Sequence, residues 1–176
     1  MRRGCRHLKT DCGDANAWRK AAGSKPSKKL GDNLKKYDKA NLPDAFSTHA
    51  VPQGYFDAHH IVPTGDSRAS EARALAYRCF IATSPRISEA PNDVRNGIFI
   101  RGHRLKPGQD GYRALDRADK ELQYHPGLRT YDYYNEITGK LAGAIDSNGN
   151  CNQDSALTAL GDEKTLLSVG KAGLHK

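Results

Sequence analysis

The chain has 176 residues, 37% of them hydrophobic and 27% charged, with a formal net charge of +8. That length suits one compact domain of ordinary size, no apolar run approaches the length a membrane-spanning helix needs, and the composition allows a buried core. The charge is uneven: residues 1–40 hold 12 Lys/Arg against 4 Asp/Glu, and the rest of the chain is neutral overall.

The start of the chain is basic but no apolar stretch follows Arg2 and Arg3, so it does not read as a secretory signal. Residues 1–42 read as a basic, weakly ordered arm able to order on a partner, with a short helix over Ala15–Ala22 stopped by Gly23 and Pro26. Within it, Lys28, Lys29, Lys35 and Lys36 are candidate phosphate contacts, with no base-specific signal around them. A solvated tail is the plainer alternative for the same composition.

From about Pro43 the pattern changes. Tyr55, Phe56, Ile61 and Val62 surround His59 and His60, and Pro63 ends the run, which predicts a short strand with histidines at its end. Thr64 to Ser67 form a turn, with Asp66 or Ser67 able to cap a helix over Arg68–Ala82, whose apolar face carries Ala72, Leu75 and Cys79. After a loop, Asn96-Gly97 opens a second strand, Ile98–Ile100. A Gly-rich loop over 101–112 leads to a helix over Tyr112–Leu122, then to His125-Pro126-Gly127. Leu128, Tyr131, Tyr134, Thr138 and Leu141 recur at helical spacing, which predicts that Tyr131 and Tyr134 pack, and Gly143 closes that helix. An Asn148-Gly149 turn and a helix near Ser155–Val169 complete the chain. The fold class is therefore α+β, a mostly helical single domain with one small sheet.

The four cysteines, Cys5, Cys12, Cys79 and Cys151, contain no CxxC pair. Cys5, His7 and Cys12 make at most part of a zinc knuckle. Cys79 falls in the apolar helical pattern and reads as a packed core residue. A chain this long does not require disulfides.

The adjacent histidines carry the chemistry. Successive strand residues point to opposite faces, so a bend at the strand end lets one imidazole hold a metal while the other faces a scissile group. An isolated HH pair is more often two surface histidines. Here it sits inside Ala58-His59-His60-Ile61-Val62-Pro63, is followed by Asn96-Gly97-Ile98-Phe99-Ile100, and then by His125 before a helix with Tyr133-Tyr134.

This three-part pattern, over roughly residues 55–142, resembles the AHH nucleases of the HNH/endonuclease VII group, built on a ββα-metal finger. The resemblance implies a finger core over 55–142 within a nuclease domain over 43–176, with a helical tail over 143–176. It implies a metal-dependent endonuclease in which His59 and His125 are metal ligands and His60 is the general base. Asn96 would hold the loop carrying His60 by hydrogen bonds to backbone. The ends left would be 5′-phosphate and 3′-hydroxyl. The family often has a second His four residues after the one at 125; this chain has Arg129, which would instead grip the scissile phosphate, an exposed helix residue being the plainer reading. His103 is a spare candidate ligand that matches no motif position. The cofactor would be a divalent cation, Mg²⁺, Mn²⁺, Ni²⁺ or Zn²⁺.

Many members are toxin domains of bacterial polymorphic toxins. The resemblance thus implies a non-specific DNase that leaves its cell through a dedicated secretion system, acts in the target-cell cytoplasm and is blocked by a cognate immunity protein. A monomer without membrane association is expected, and otherwise a cytoplasmic protein. The alternatives are an RNase with the same finger, a free-standing housekeeping or phage nuclease, and a zinc-stabilised module that binds nucleic acid without cutting it.

Overall fold

The structure is a computed structural model and describes residues 9–41, 53–115, 117–128 and 130–172. The readings that concern Cys5, His7, His49, Arg129 and His175 lie outside the described residues.

Two helices open the described chain, α1 over Lys9–Ala22 and α2 over Pro26–Asn41. This corrects the expectation of a weakly ordered arm and lengthens the helix expected over Ala15–Ala22. The reason lies in a few well-spaced anchors that the basic composition obscures. Ala15, Trp18 and Ala22 recur along one face of α1 and are buried, Trp18 completely. Gly23, at φ 69°, ends α1, and Pro26 begins α2 at the position where a missing N–H costs no hydrogen bond. Leu30 and Leu34 bury one face of α2 and leave Lys28, Lys29, Lys35 and Lys36 exposed on the other.

The sheet has two antiparallel strands, β1 over Phe56–His60 and β2 over Gly97–Arg101, with Ala58 opposite Phe99, His59 opposite Ile98 and His60 opposite Gly97. The pleat gives each face its own cover. Ala58, His60 and Gly97 face α2: Leu30 lies over Gly97, where a Cβ would stand 2.5 Å from Leu30 Cδ1, and a Cβ on Gly31 would meet Ala58 Cβ at 3.4 Å. The opposite face carries Asp57, His59, Ile98 and Ile100.

Between the strands, α3 over Ser70–Tyr77 continues as a π-turn over Arg78–Ala82, matching the helix expected over Arg68–Ala82 apart from a 3₁₀ turn at its start. Alanines let α1 and α3 approach closely, and Arg78 reaches Asp14 at 2.9 Å. After β2, the helix expected over Tyr112–Leu122 is broken into α4, Asp110–Arg113, and α5, Arg117–Glu121. Leu115, between them, turns inward onto Phe56 and Leu105 in a small second cluster, and that burial overrides local helix propensity.

Thr130 caps α6, Tyr131–Ala142, by accepting from the Tyr133 N–H. The buried face of α6 is Tyr133, Tyr134, Ile137 and Leu141; Tyr131, expected to pack, stands 65% exposed in the first turn. Asn152 caps α7, Gln153–Ser168, close to the helix expected there. These elements enclose one main core of Trp18, Phe80, Ile61, Ile98, Ile137 and Leu160 with their neighbours.

The cysteines depart from expectation. Cys79 is buried, but as half of a disulfide with Cys151, 72 positions away, which ties the end of the α3 segment to the approach to α7. Cys12 is disulfide-bonded as well. Among the described residues no helix is long and apolar enough to cross a membrane.

Candidate active site

The strand pleat sends the two histidines in different directions. His60 turns toward the N-terminal helices: its Nε2 lies 3.1 Å from Asn92 Oδ1, and the Asn92 amide in turn donates to Ala22 O at 3.1 Å. Asn33, on α2, donates to Asn92 O at 2.9 Å. His60 is 6% exposed, and burial holds its pKa below the ordinary imidazole range, with the Asn92 contact opposing that shift.

His59 turns toward α6. Its Nε2 is 2.8 Å from the Tyr133 hydroxyl, which donates to Ile61 O at 3.2 Å. The His125 ring stands edge-on to His59, centroids 5.2 Å apart at 72°. His125 opens a 3₁₀ turn over His125–Leu128 just before α6, and its Nδ1 is 2.8 Å from Asp57 Oδ2. Asp57 precedes His59 by two residues and so shares its face of β1.

Asn96 fixes the bend that follows His60. Its side-chain oxygen accepts from Val62 N at 2.8 Å, its amide donates to Val62 O at 3.3 Å and Pro91 O at 3.0 Å, and its own carbonyl accepts from Ile61 N at 2.9 Å. Only a side chain with both a donor and an acceptor does this, and Asn96 is 1% exposed.

His59, His60 and His125 open on a cleft of about 390 Å³ whose rim includes Ser27, Asp66 and Tyr134. The rim is pinned at Asp66, which pairs with Arg68 at 2.7 Å and accepts from the Tyr134 hydroxyl at 2.8 Å; Arg73 donates to its carbonyl. Arg68 holds the Asp66 carboxyl well below the usual carboxylate range. The larger groove on α6 and α7, about 450 Å³, is lined by Lys140, Asp154 and Asp162 among others and has no imidazole.

The structure therefore brings His59, His60, Asn96 and His125 together from three separate stretches of chain. Lys28, Lys29, Lys35 and Lys36 lie along α2, whose first turn, at Ser27, reaches the cleft. Lys28 is paired with Asp32 at 2.7 Å. His103 sits exposed in a turn after β2 and does not line the cleft. Among the described residues no group of three or more His, Cys, Asp or Glu side chains is poised around one metal position.

Asp57, Asn92 and the Tyr133 hydroxyl were not picked out from the sequence. For Asp57 a signal existed, its position two residues before His59. For Asn92 none existed, because its partners come from the end of α1, from α2 and from β1.

A family model described as a nuclease family of the HNH/ENDO VII superfamily with conserved AHH matches residues 41–165, and the triplet falls on Ala58, His59 and His60. No curated protein and no solved structure gives a significant match. With more than half of its length inside that model and the three histidines on one cleft, the chain belongs to the AHH family of HNH/endonuclease VII nucleases, enzymes that hydrolyse nucleic-acid phosphodiesters.

Proposed function

We propose that this nuclease is a metal-dependent endonuclease with His60 as general base and with His59 and His125 holding a divalent cation. The observation that carries the reading is the convergence of the three imidazoles on one cleft, His60 from one face of β1 and the His59–His125 pair from the other. In this reading β1, β2 and α6 are the finger.

The donor set fits an open site. Neutral imidazoles suit several divalent ions, and His125 has the carboxylate partner that metal-binding histidines commonly carry. His59 and His125 supply two nitrogens, so oxygen donors from solvent and substrate would complete the shell. When bound, the cation would withdraw charge from a phosphate oxygen and from the leaving oxygen.

His60 supplies the proton acceptor. A hydrogen bond from its Nε2–H to Asn92 leaves Nδ1 with the lone pair, and burial keeps the ring neutral at physiological pH, as a base must be. His60 takes a proton from water attacking phosphorus, the bond to the 3′ oxygen breaks with that oxygen taking up a proton from solvent water, and 5′-phosphate and 3′-hydroxyl ends result. Asn96 keeps Ile61 and Val62, and with them His60, in register with β2. Arg129 is assigned to the phosphate, and the lysines of α2 to flanking phosphates.

We take DNA as the substrate and delivery between cells, with an acidic immunity protein as partner and a monomeric active form, as the biological setting. The Cys79–Cys151 bond supports passage through an oxidising compartment, because disulfides persist there and not in a reducing cytosol.

The test is cleavage of matched DNA and RNA by wild type and His60→Ala, with EDTA and with each candidate metal. Loss of DNA cleavage in both EDTA and the variant is the expected result. Full activity in His60→Ala overturns the assigned base, cleavage of RNA alone overturns the DNase reading, and binding without cleavage by wild type overturns catalysis altogether.

A further inference from the structure

Tyr131 opens α6 beside the cleft, and packing does not account for it. Its helical spacing to Tyr134, Thr138 and Leu141 would bury the ring, yet it stands 65% exposed, above Tyr37 at 46% and Val169 at 42%, the other exposed large hydrophobics among the described residues. A lone exposed aromatic is common on a protein surface and needs no explanation by itself. Two observations set Tyr131 apart.

The first is its tie to the cleft rim. Asp66 and Tyr134 line the cleft. Arg68 grips Asp66 through two contacts, Nε to Oδ1 at 3.0 Å and Nη2 to Oδ2 at 2.7 Å, so its guanidinium plane is held. The same guanidinium stands 5.2 Å from the ring centre of Tyr134 and 5.8 Å from that of Tyr131. Arg68 is therefore a wedge between the rim and the exposed ring. It braces Tyr131 by a cation–π contact and sets it one guanidinium away from the cleft.

The second is the polarity of its surroundings. Thr130, Asp132 and Asn135, the nearest residues along the chain and on the next turn, are exposed as well, and α6 exposes no other large hydrophobic. A protein partner's anchor would need an apolar pocket or patch around it. A single π face amid hydrogen-bonding groups suits a nucleobase, which stacks through its faces while its edges stay polar.

We propose that Tyr131, braced by Arg68, is a stacking platform for one unpaired base of the substrate strand, beside the phosphate that enters the cleft. The inference deepens the nuclease reading and rests on it for the identity of the ligand. In a closed duplex both faces of every base are covered by its neighbours, so only a released base can lie on the ring. The platform thus favours single-stranded or gapped DNA over closed duplex. It does so with little regard to sequence, because every base has a π-face.

The experiment uses the full chain in EDTA, so that nothing is cut, with single-stranded DNA oligonucleotides carrying 5-iodouracil at successive positions. Long-wavelength irradiation joins that base to an aromatic ring stacked on it, and mass spectrometry of the adduct identifies the ring. Wild type should give an adduct at Tyr131, retained in Tyr131→Phe. Tyr131→Ala should bind the single strand roughly 5- to 150-fold more weakly, with Tyr131→Phe close to wild type. Affinity for a relaxed, closed circular duplex, which offers no released base, should be equal in wild type and Tyr131→Ala. The ring is exposed, so all three proteins should melt together.

An irradiated wild type without an adduct at Tyr131 overturns the proposal. So does a Tyr131→Ala variant that binds the single strand as wild type does, or one that loses the strand and the closed duplex equally. A Tyr131→Phe variant as weak as Tyr131→Ala would assign the effect to the hydroxyl and overturn stacking. A wild type with the adduct that cuts no nucleic acid with any metal would overturn the nuclease reading and leave the platform standing.

Discussion

His60, at the end of β1, and Asn92, in a 3₁₀ turn 32 positions later, meet at 3.1 Å, and Asn92 is itself held by Ala22 and Asn33. The assigned base is thus oriented by the basic N-terminal segment. Replacing Asn92 by Ala removes the partner of the ring and leaves Ala22 O without its donor. In steady-state cleavage assays kcat should fall on the order of 10²-fold with little change in KM, as expected for misplacement of a reacting group. Equal loss in KM and kcat would show that Asn92 serves substrate binding instead.

Asn96 tests a different link, that between local structure and stability. Asn96→Asp keeps the shape and the acceptor but cannot donate to Val62 O and Pro91 O. It should therefore be no milder than Asn96→Ala, each costing about 1–3 kcal/mol in urea unfolding. An aspartate variant as stable as wild type would remove the two-sided clamp from the account.

The docking of α2 on the sheet predicts a coupled pair. Gly97→Ala places a methyl where Leu30 stands and should cost about 1–3 kcal/mol through overpacking. Shortening the neighbour in the double variant with Leu30→Ala should recover part of that loss, giving a coupling energy of opposite sign to the single effects. Strict additivity in a double-mutant cycle would mean that the helix does not sit there in solution.

Acid stability should report Asp66. Its pKa is depressed in the folded state, chiefly by Arg68, from an ordinary value of 3.8. An unfolded chain then binds the proton first as pH falls, so the stability due to Asp66 is complete above about 3.8 and is lost below it. The melting-temperature gap between wild type and Asp66→Asn should stay constant from neutral pH to about 5 and close in stronger acid. A gap that instead widens on acidification would contradict the sign.

Removing the long-range disulfide should be costly. Chain-entropy reasoning for a loop of this length gives about 4 kcal/mol for the Cys79→Ala/Cys151→Ala variant relative to the oxidised protein. Urea unfolding of the double variant beside wild type measures it. A loss below about 1 kcal/mol would show that packing around Cys79 dominates.

What the sequence revealed followed its periodicities. The strand around His59, the strand after Asn96 and the helices of residues 70–77, 131–142 and 153–168 carry clear apolar patterns, and the structure places them there. The helical hairpin at the start was hidden because its anchors are few: Trp18, Leu30 and Leu34 stand among lysines, and composition averages them away. Cys79 shows a different limit, since the same burial suits a thiol and a disulfide and only the fold brings Cys151 beside it. The candidate cleft was legible where chemistry and motif coincide, at His59, His60 and His125, which line it, and at Asn96, which holds the bend beside it. It was not legible at Asn92, whose partners lie 32, 59 and 70 positions away.

The span closed by Cys79 and Cys151 has a topological effect of its own. It contains Asn96 and His125 but neither His59 nor His60, and it includes the exposed stretch from Lys106 to Asp110, the natural place for a protease to cut. A single cut there would break the backbone without freeing a fragment, because both pieces stay joined through sulfur. The protein would run as two bands only after reduction, and the nicked molecule would keep all three imidazoles on one covalent body. An enzyme exposed to foreign proteases would in this way survive damage that would dismantle the same fold without its cysteines.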